Sequence, residues 1–462
     1  MVNCCIDAQA RGSSFMQQPD WETIIMAFTD FSERGLSRRS ILKGSALAAA
    51  GGLFAGHPLG SALLAHDVSE DWPSVAAEID SYLKEKKLAN AIATFGWQQQ
   101  DHAHTVGGGT LALNGTTPAN QDSLYRIYSM TKPITGMMVM QLISEGKLGL
   151  DQPLSDILPA FAQMQVQKEY DGAITEDNLE PAKRPITIRH LLTHTSGLGY
   201  QIIQQGPIKD EYDRLGLVPG QVSRMPIPGI GRSEPVGSLE LFADTLATVP
   251  LVYQPGEKWS YSVGIDLLGR VIEVVEGKPF DQVLQERIFD PTGMTSTFFT
   301  VPKSEVGRLT TNYAVLGGQI FPIDPAASSI YLDKPPFPFG GAGLVCSPRD
   351  YDRFLRMLLG MGKIDGTRVL SEAAVRIGTS NILPDTVDLT GCWTEGQGFG
   401  AAGRVIGRSY GWGGAAGTAA FVDYEHGLRA GFFTQYMPSE AYPIQGEFPE
   451  LVRKDLAAGT NG

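Results

Sequence analysis

The chain has 462 residues, of which 42% are hydrophobic and 19% charged, a composition that is ordinary for a soluble globular protein of two or three domains. Its formal net charge of -13 argues against nucleic acid or an anionic membrane surface as the main partner, because both would repel it. We therefore expect a small, neutral substrate.

The first 65 residues are typical of an export signal. The run Ser37-Arg38-Arg39-Ser40-Ile41-Leu42-Lys43 precedes a mildly apolar, Gly/Ala-rich stretch from residue 44 to about 65. Paired arginines before a weakly hydrophobic segment are typical of twin-arginine export signals. The glycines of the stretch, with His57 and Pro58, make it a poor membrane-spanning helix. We expect residues 1–65 to be removed, which predicts a periplasmic or secreted protein without stable membrane insertion.

The first elements after this segment are a helix and a hairpin. Between residues 71 and 87, apolar positions recur at helical spacing with charges between them, which predicts an amphipathic helix. Residues 91–97 and a short run around Thr105 are separated by polar residues, so we expect a hairpin that enters a sheet. Residues 123–127 then lead directly into the next helix.

That next helix carries a possible nucleophile. In Tyr128-Ser129-Met130-Thr131-Lys132-Pro133 a serine and a lysine are three residues apart, so on a helix their hydroxyl and amine share one face. A serine becomes an effective nucleophile when a neighbouring base takes its proton, and a partly buried lysine can do so. Pro133 predicts a helix start at or near Ser129, at the positive end of the helix dipole. The alternative is a serine cap beside a solvated lysine.

The same helix is expected to be buried. The run from Ile134 to Ile143 is apolar on nearly every side and ends at Glu145-Gly146-Lys147. A helix of this composition belongs in the core rather than on the surface. We therefore expect it to be the central helix of the protein.

Residues 151–339 have the pattern of helices joined by long irregular connections. The segment 185–197 predicts a short helix with Thr187 as its N-cap. A Gly- and Pro-rich loop from Gly199 to Gly237 is expected to line the substrate entrance, because loops this long inside compact proteins are usually functional. Further helices are predicted at about 238–248, 262–276 and 279–289.

The C-terminal part returns to a sheet. After a helix near 348–359, short alternating strands with tight turns indicate an antiparallel sheet, and a final helix closes the chain. The predicted strands are 403–410, 418–424 and 428–436, and the predicted final helix is 445–456. We expect an α+β fold, an α/β sandwich in which residues 66–150 and 340–462 form the sheet domain and residues 151–339 form a mainly helical insertion domain.

Tyr261 is a second candidate catalytic residue. It lies at the start of a predicted helix, just after the turn Gln254-Pro255-Gly256-Glu257. A tyrosine fixed in this way can point into a cleft and, as phenolate, act as a general base. The alternative is a packed aromatic side chain.

A third candidate segment runs from Gly411 to Thr418, between two predicted strands. Its glycines would let the backbone approach the nucleophile, so that an N–H could face an acyl oxygen. Together with the N–H of Ser129, such a group would form an oxyanion hole. The alternative is a glycine-rich hairpin loop.

One competing motif is Gly407-Arg408-Ser409-Tyr410-Gly411, which matches Gly-x-Ser-x-Gly, the nucleophile elbow of α/β-hydrolases. That elbow joins a strand to a helix, whereas the pattern here is a strand, a glycine turn and another strand. His426 is the only later histidine and follows too closely. We therefore prefer Ser129 over Ser409.

Histidines and cysteines indicate neither a metal nor another cofactor. His190 and His194 are four residues apart but lack the glutamate of the zincin motif, so we expect structural histidines. Cys346 and Cys392, the two cysteines in the body of the protein, could form one disulfide in an oxidising compartment or remain two buried thiols.

Taken in order, the Ser129 motif, Trp259-Ser260-Tyr261-Ser262-Val263-Gly264 and the Gly411–Thr418 segment resemble the serine β-lactamase and penicillin-binding superfamily, specifically its class C-like branch. The resemblance covers about residues 70–440, and the run Ile186–Leu198 is also similar to one typical of that superfamily. It implies a β-lactamase/transpeptidase-like fold, with an antiparallel sheet flanked by helices and a largely helical second domain.

Two motifs of this chain differ from those of true β-lactamases, and the differences narrow the resemblance to one group within the class C-like branch. The Tyr-x-Asn motif is here Tyr261-Ser262-Val263, and the Lys-Thr-Gly motif is replaced by Trp412-Gly413-Gly414. Both changes look like family VIII carboxylesterases and the related acyltransferases. By that resemblance Ser129 is the nucleophile, Lys132 and Tyr261 activate it, and Ala415 supplies the second oxyanion N–H. The apolar Trp412 beside the cleft suits a neutral ester.

We therefore expect an exported serine hydrolase that cleaves small-molecule carboxylic esters through an acyl-enzyme, without a cofactor. The alternatives on the same fold are a β-lactamase or D-amino peptidase, or acyl transfer to an alcohol. A non-catalytic binding or sensor domain is the alternative from another class.

Overall fold

The structure is a computed structural model that describes residues 68–225 and 234–459. Short 3-10 turns connect many of its elements, and one segment, Gln285–Phe289, is π-helical. The α-helices are α1 (Pro73–Lys84), α2 (Thr131–Ser144), α3 (Ile188–Leu192), α4 (Gly206–Arg214), α5 (Leu239–Leu246), α6 (Gly264–Glu276), α7 (Phe280–Leu284), α8 (Asp290–Thr292), α9 (Pro348–Leu359), α10 (Glu372–Gly378) and α11 (Ile444–Gly459).

Most of the strands are short. They are β1 (Asn90–Trp97), β2 (His104–Gly109), β3 (Tyr125–Arg126), β4 (Gln165–Gln167), β5 (Leu179–Pro181), β6 (Thr297–Phe298), β7 (Asn312–Leu316), β8 (Gln319–Asp324), β9 (Val345–Cys346), β10 (Lys363–Ile364), β11 (Thr367–Arg368), β12 (Gly398–Phe399), β13 (Arg404–Ile406), β14 (Ser409–Gly413), β15 (Ala419–Asp423), β16 (Leu428–Phe433) and β17 (Tyr436–Met437).

The main sheet has seven strands in the order β12-β13-β14-β15-β16-β1-β2, and every pairing in it is antiparallel. Strands β1 and β2 come from the N-terminal part, and the other five come from the C-terminal part. The two parts join where β1 pairs with β16, with Phe95 opposite Ala430. The predicted hairpin and the predicted antiparallel sheet built from both ends of the chain are confirmed.

Helices α1 and α11 cover one face of this sheet. Trp72 stacks on Phe95 of β1 with ring centroids 3.8 Å apart, and Phe448 of α11 packs on the same apolar cluster. The first turn of α1 lacks a cap from its own N-cap residue. Asp455 of α11 replaces it, since its carboxylate accepts hydrogen bonds from the backbone N–H groups of Ser74 and Val75.

Helices α2 and α9 pack against the other face. Alternation along β1 and β16 makes this possible, because Ile92 and Phe433 point to the side opposite to Phe95. Helix α2 is buried on all sides, as predicted from its apolar run. Tyr351 of α9 donates a hydrogen bond to the carbonyl of Met130, which ties α9 to the start of α2.

Three expectations need correction. The segment 199–237 is not a continuous loop, because Gly206–Arg214 forms helix α4; this helix is largely polar and lies between glycines, so its sequence resembles a loop. Residues 226–233 of that segment lie outside the described residues. The predicted strand 403–410 is two strands, β13 and β14, joined by a turn at Gly407, whose φ is +56°.

The third correction concerns the Trp412-Gly413-Gly414 motif. It does not lie between strands, because β14 extends through Trp412 to Gly413, and only the turn that follows carries Gly414 and Ala415. A strand is recognised in a sequence by alternating apolar and polar side chains. The glycines of β14 have no side chains, so this pattern is missing there.

The predicted short helix after Thr187 is confirmed, and Thr187 caps it: its side chain accepts from the N–H of His190. The division into a sheet domain and a mainly helical insertion of 151–339 stays a prediction; that segment contains α3 to α8 and also β4 to β8. The predicted export signal lies outside the described residues. Across residues 68–225 and 234–459, no helix combines the length and apolar character needed to cross a bilayer.

Candidate active site

Ser129 lies in a 3-10 turn, Tyr128–Met130, that leads into α2. The helix therefore begins two residues later than Ser129, close to the prediction. Tyr128 has a φ of +40°, a conformation that side chains other than glycine rarely adopt. Such strain is often found next to functional residues. The Ser129 side chain remains partly accessible.

Lys132 extends from the first turn of α2 to Ser129. Its Nζ lies 3.1 Å from Ser129 Oγ and donates a second hydrogen bond, of 2.8 Å, to the carbonyl of Gly341. The lysine is fully buried, and its ammonium lies 4.7 Å from the centroid of the Tyr261 ring. The predicted contact between the serine and the lysine is present in the structure.

Tyr261 completes the set from the segment that precedes α6. Its hydroxyl lies 2.8 Å from Ser129 Oγ and accepts a hydrogen bond of 3.2 Å from the indole Nε1 of Trp412. The side chain is 5% exposed. A single hydrogen-bonded set thus joins Ser129, Lys132, Tyr261 and Trp412. They come from the turn before α2, from α2 itself, from the segment before α6 and from β14.

The turn after β14 lies against the segment that carries Ser129. A side chain on Gly414 would overlap the backbone carbonyl of Ile127 and the hydroxyl of Thr418, so only glycine fits there. Gly413, the last residue of β14, packs near Gln445. Within the described chain, the backbone N–H groups of Ser129 and Ala415 donate no hydrogen bond to another residue. Both remain free to face an acyl oxygen.

Asp266 is a buried acid near the site that the sequence analysis missed. It lies on α6, and its Oδ1 accepts a hydrogen bond of 2.8 Å from the N–H of Gly341, whose carbonyl binds Lys132. Its Oδ2 has no partner among the described residues. Burial raises the pKa of Asp266 to about 6, although the nearby Lys132 charge acts in the opposite direction. The available signal was a charge in the apolar run at the start of α6.

Two different walls flank Ser129. One is small and apolar, and it includes Val222 from the segment after α4. The other is aromatic, and its side chains pack against Tyr261 or Trp412. The first wall consists of Tyr128, Val222, Ala342, Ala415, Ala416 and Met437, and the second consists of Tyr200, Trp393, Phe399 and Trp412.

Ser409 does not meet the requirements of a nucleophile elbow. It is the first residue of β14 and follows a turn from β13, so no helix comes after it. It lies opposite Asp423 of β15, and Asp423 lies 2.9 Å from Nδ1 of His426. Ser409 itself makes no hydrogen bond to His426 in the part of the chain that the structure describes.

The two histidines of the 185–197 segment have structural contacts. Nδ1 of His190 accepts from the backbone N–H of Thr187. His194 is fully buried, and its Nδ1 accepts from the N–H of Ser262, next to Tyr261. Burial lowers the pKa of His194 well below its ordinary value, so the ring is neutral.

The two cysteines, Cys346 and Cys392, are both buried and not paired with each other. Of the two alternatives for these cysteines, the structure therefore shows two buried thiols rather than a disulfide. Among the described residues, no group of three or more His, Cys, Asp and Glu side chains is arranged to hold a metal ion.

Comparison with known proteins gives the family. The family model Beta-lactamase matches residues 86–448. Protein Rv1367c of Mycobacterium tuberculosis (strain ATCC 25618 / H37Rv) is 36% identical over 298 residues, which cover 64% of this chain and 69% of that protein. Esterase EstB of Burkholderia gladioli is 29% identical over 396 residues, covering 78% of this chain and 90% of the esterase.

A solved structure agrees at the level of the fold. EstCE1, described as a hydrolase with promiscuous acyltransferase activity, superposes with a TM-score of 0.66 at 24% identity, over 84% of this chain and 99% of that one. The β-lactamase/transpeptidase-like α+β fold expected from the motifs is therefore confirmed. Since the family model spans most of the sequence, this chain belongs to the beta-lactamase family.

Proposed function

We propose that this protein is a serine hydrolase that cleaves carboxylic esters through an acyl-enzyme intermediate. One observation carries the proposal: Ser129 Oγ lies within hydrogen-bond distance of both Lys132 Nζ and the Tyr261 hydroxyl. Nucleophilic catalysis needs a serine hydroxyl beside a group that accepts its proton, and the deprotonated form of either the lysine or the tyrosine could do so. A binding or sensor domain has no use for all three residues together.

The reaction proceeds in two steps. Ser129 Oγ forms a bond to the carbonyl carbon, its proton passes to the Lys132 and Tyr261 pair, and the pair returns a proton to the departing alcohol. Water then attacks the acyl-enzyme, and the acid leaves as Oγ recovers its proton. In both steps the N–H groups of Ser129 and Ala415 stabilise the negative charge on the carbonyl oxygen, and each such donor typically contributes ~10²–10³ in rate.

The finer assignment is to the family VIII carboxylesterases. Trp412 replaces the lysine of the Lys-Thr-Gly motif, and its indole N–H binds the Tyr261 hydroxyl. Val263 replaces the asparagine of the Tyr-x-Asn motif. The match to esterase EstB supports an ester rather than a β-lactam as substrate.

The test is labelling with a fluorophosphonate, followed by peptide mapping. We expect the label on Ser129 and none on Ser409. Ser129→Ala should lose the label and the turnover of short-chain aryl esters, and Ser409→Ala, the matched control, should keep both. Label on Ser409 would require a different hydrolase mechanism, and an unlabelled protein would favour a binding domain. Cleavage of nitrocefin faster than of aryl esters would favour a β-lactamase.

Acyl transfer to an alcohol is the second candidate. The small apolar wall beside Ser129 and the burial of Lys132 and Tyr261 favour it, because such surroundings reduce access of water to the acyl-enzyme. Addition of a primary alcohol to an aryl ester assay distinguishes the two. A transester product that exceeds the free acid would show transfer, and free acid alone would show hydrolysis.

We also propose that the protein is exported by the twin-arginine route. The proposal rests on Ser37-Arg38-Arg39-Ser40-Ile41-Leu42-Lys43 and on the weakly apolar stretch that follows it. Expression of the full chain in a bacterium with this pathway should place the mature protein in the periplasm. A combined Arg38→Lys and Arg39→Lys variant should remain in the cytoplasm, and equal periplasmic amounts of both proteins would contradict the route.

A further inference from the structure

Arg404, on strand β13, is a cation without an anion. Its Nε is buried and has no hydrogen-bond partner among the described residues. Its two Nη nitrogens also donate no hydrogen bond there, and they remain accessible because the side chain is only partly buried. No carboxylate within the described ranges forms an ion pair with it. The guanidinium keeps its charge, since arginine is not deprotonated in proteins.

The other arginines in comparable surroundings are paired. Arg189 and Arg270 are partly buried like Arg404, and they bind the carboxylates of Asp151 and Glu240. This is the usual arrangement, because an unpaired charge removed from water is costly. Arg404 is therefore an exception that calls for a partner from outside the described chain.

Arg404 contacts the hydrogen-bonded set through the ring of Trp412. Its Cζ is 5.2 Å from the centroid of the Trp412 ring. The indole of Trp412 in turn binds the Tyr261 hydroxyl, which lies 2.8 Å from Ser129 Oγ. In the sheet, Arg404 pairs with Phe399 on one side and Gly411 on the other. Neither residue brings a negative charge to the guanidinium.

We propose that Arg404 binds a carboxylate of the ester substrate, so that the preferred substrates are esters that carry a second, anionic group. Half-esters of dicarboxylic acids and esters of hydroxy acids belong to this class. The planar guanidinium can hold a carboxylate through two parallel hydrogen bonds. The face of the Trp412 ring, whose centroid is 5.2 Å from the Arg404 Cζ, favours a cation at this position next to the hydrogen-bonded set. This inference rests on the proposed ester hydrolysis and differs from the neutral substrate that the sequence predicts.

The experiment compares matched esters that differ in one charge. One pair is mono-4-nitrophenyl adipate and its methyl ester, which carry the group on the acyl side. The other is 4-acetoxybenzoate and its methyl ester, which carry it on the alcohol side. Values of kcat/KM are measured for the wild type, Arg404→Met and Arg404→Lys. Arg408→Met, which removes an exposed arginine from the turn between β13 and β14, is the control.

We expect the wild type to prefer the anionic member of at least one pair. In Arg404→Met the anionic-to-neutral ratio should fall by roughly 10-fold to 100-fold, through KM, as expected for loss of a hydrogen bond to a charged group. Arg404→Lys should recover part of the lost preference for the anionic ester. Arg408→Met should have the same anionic-to-neutral ratio as the wild type. An equal loss on both members would mean that Arg404 acts through Trp412 on Tyr261, and would overturn the proposal.

Binding separates this inference from the proposed function. Calorimetry with Ser129→Ala and mono-4-nitrophenyl adipate or 4-acetoxybenzoate needs no turnover. Binding that depends on Arg404, in a protein that hydrolyses no ester, would overturn the proposed function alone. Ester hydrolysis in which neither the rate ratio nor the binding depends on Arg404 would overturn the Arg404 assignment alone.

Discussion

At the scale of single residues, Tyr261 is in contact with Ser129, Lys132 and Trp412. Its hydroxyl lies 2.8 Å from Ser129 Oγ and 3.2 Å from the Trp412 indole, and its ring faces the Lys132 ammonium. The indole N–H and the ammonium both stabilise negative charge on or near the phenol. Trp412 can thus stabilise the phenolate form of Tyr261 through a hydrogen bond, although it lacks the charge of the lysine that it replaces.

The first prediction concerns this hydroxyl. Tyr261→Phe should lower kcat for an aryl ester by roughly 10²–10⁴, the usual contribution of a general acid or base. The fold should survive, because the ring and its packing remain. Stopped-flow and steady-state assays with 4-nitrophenyl acetate measure the effect. Tyr424→Phe, which removes a distant hydroxyl bound to the Leu358 carbonyl, serves as control. A kcat within twofold of the wild type would exclude Tyr261 as the base.

Residues of the site differ in how well the sequence reveals them. The contact between Ser129 and Lys132 follows from a spacing of three at the start of a helix, so local geometry alone predicts it. Tyr261 is predicted only through its motif. Asp266 and Arg404 are not predicted, since their surroundings depend on how separate elements pack against each other. Gly341 reaches Asp266 through the tertiary fold, and Trp412 reaches Arg404 through the pairing of β13 with β14.

At the scale of elements, the site depends on how closely the end of β14 approaches the turn that carries Ser129. Gly414 makes the approach possible, because there is no space for a Cβ between it and the Ile127 carbonyl. A glycine is therefore needed at position 414 for steric reasons.

The second prediction follows from this fit. Gly414→Ala should push the turn away from Ser129 and lower kcat by at least tenfold, about the effect of losing one oxyanion donor. A moderate fall in Tm should accompany it, because the added methyl strains the contact. The control is Gly108→Ala in β2, where an added methyl meets no neighbouring atom within 4 Å. Unchanged kinetics in Gly414→Ala would show that the turn does not supply the second donor.

Among the elements, long regular ones are predicted well and short ones poorly. Helices α1, α2, α6, α9 and α11 lie where their apolar periodicity places them. Helix α4 and the boundary between β13 and β14 are missed. Both lie in glycine-rich sequence, where side-chain pattern carries little information and tertiary contacts decide the conformation.

At the scale of the whole molecule, the buried carboxyl group of Asp266 makes the stability of the fold depend on pH. Asp266 is fully buried, and its pKa of about 6 exceeds the ordinary value of 3.8. The folded protein therefore binds this proton more tightly than the unfolded chain. By linkage, its contribution lowers the free energy of unfolding as pH rises from about 4 to about 6, and the loss persists above that range.

The third prediction uses Asp266→Asn, which keeps the acceptor for the Gly341 N–H but cannot ionise. Relative to the wild type, the variant should gain stability as pH rises from 4 to 7, by up to about 3 kcal/mol. Denaturant unfolding at several pH values measures it. The control is Asp210→Asn, at a position on α4 that is exposed. A stability difference that does not change with pH would contradict the raised pKa.

The sequence by itself determined the family, the order of the three motifs and the antiparallel sheet, because periodicity and short motifs are local properties of the chain. Only the tertiary structure decided which side chains surround Ser129. Lys132 binds Gly341 and the Trp412 indole binds Tyr261 because distant segments meet there. The pairing of β13 with β14 leaves the Nε of Arg404 without a partner among the described residues. Burial and charge pairing depend on that assembly as a whole, and no local pattern encodes them.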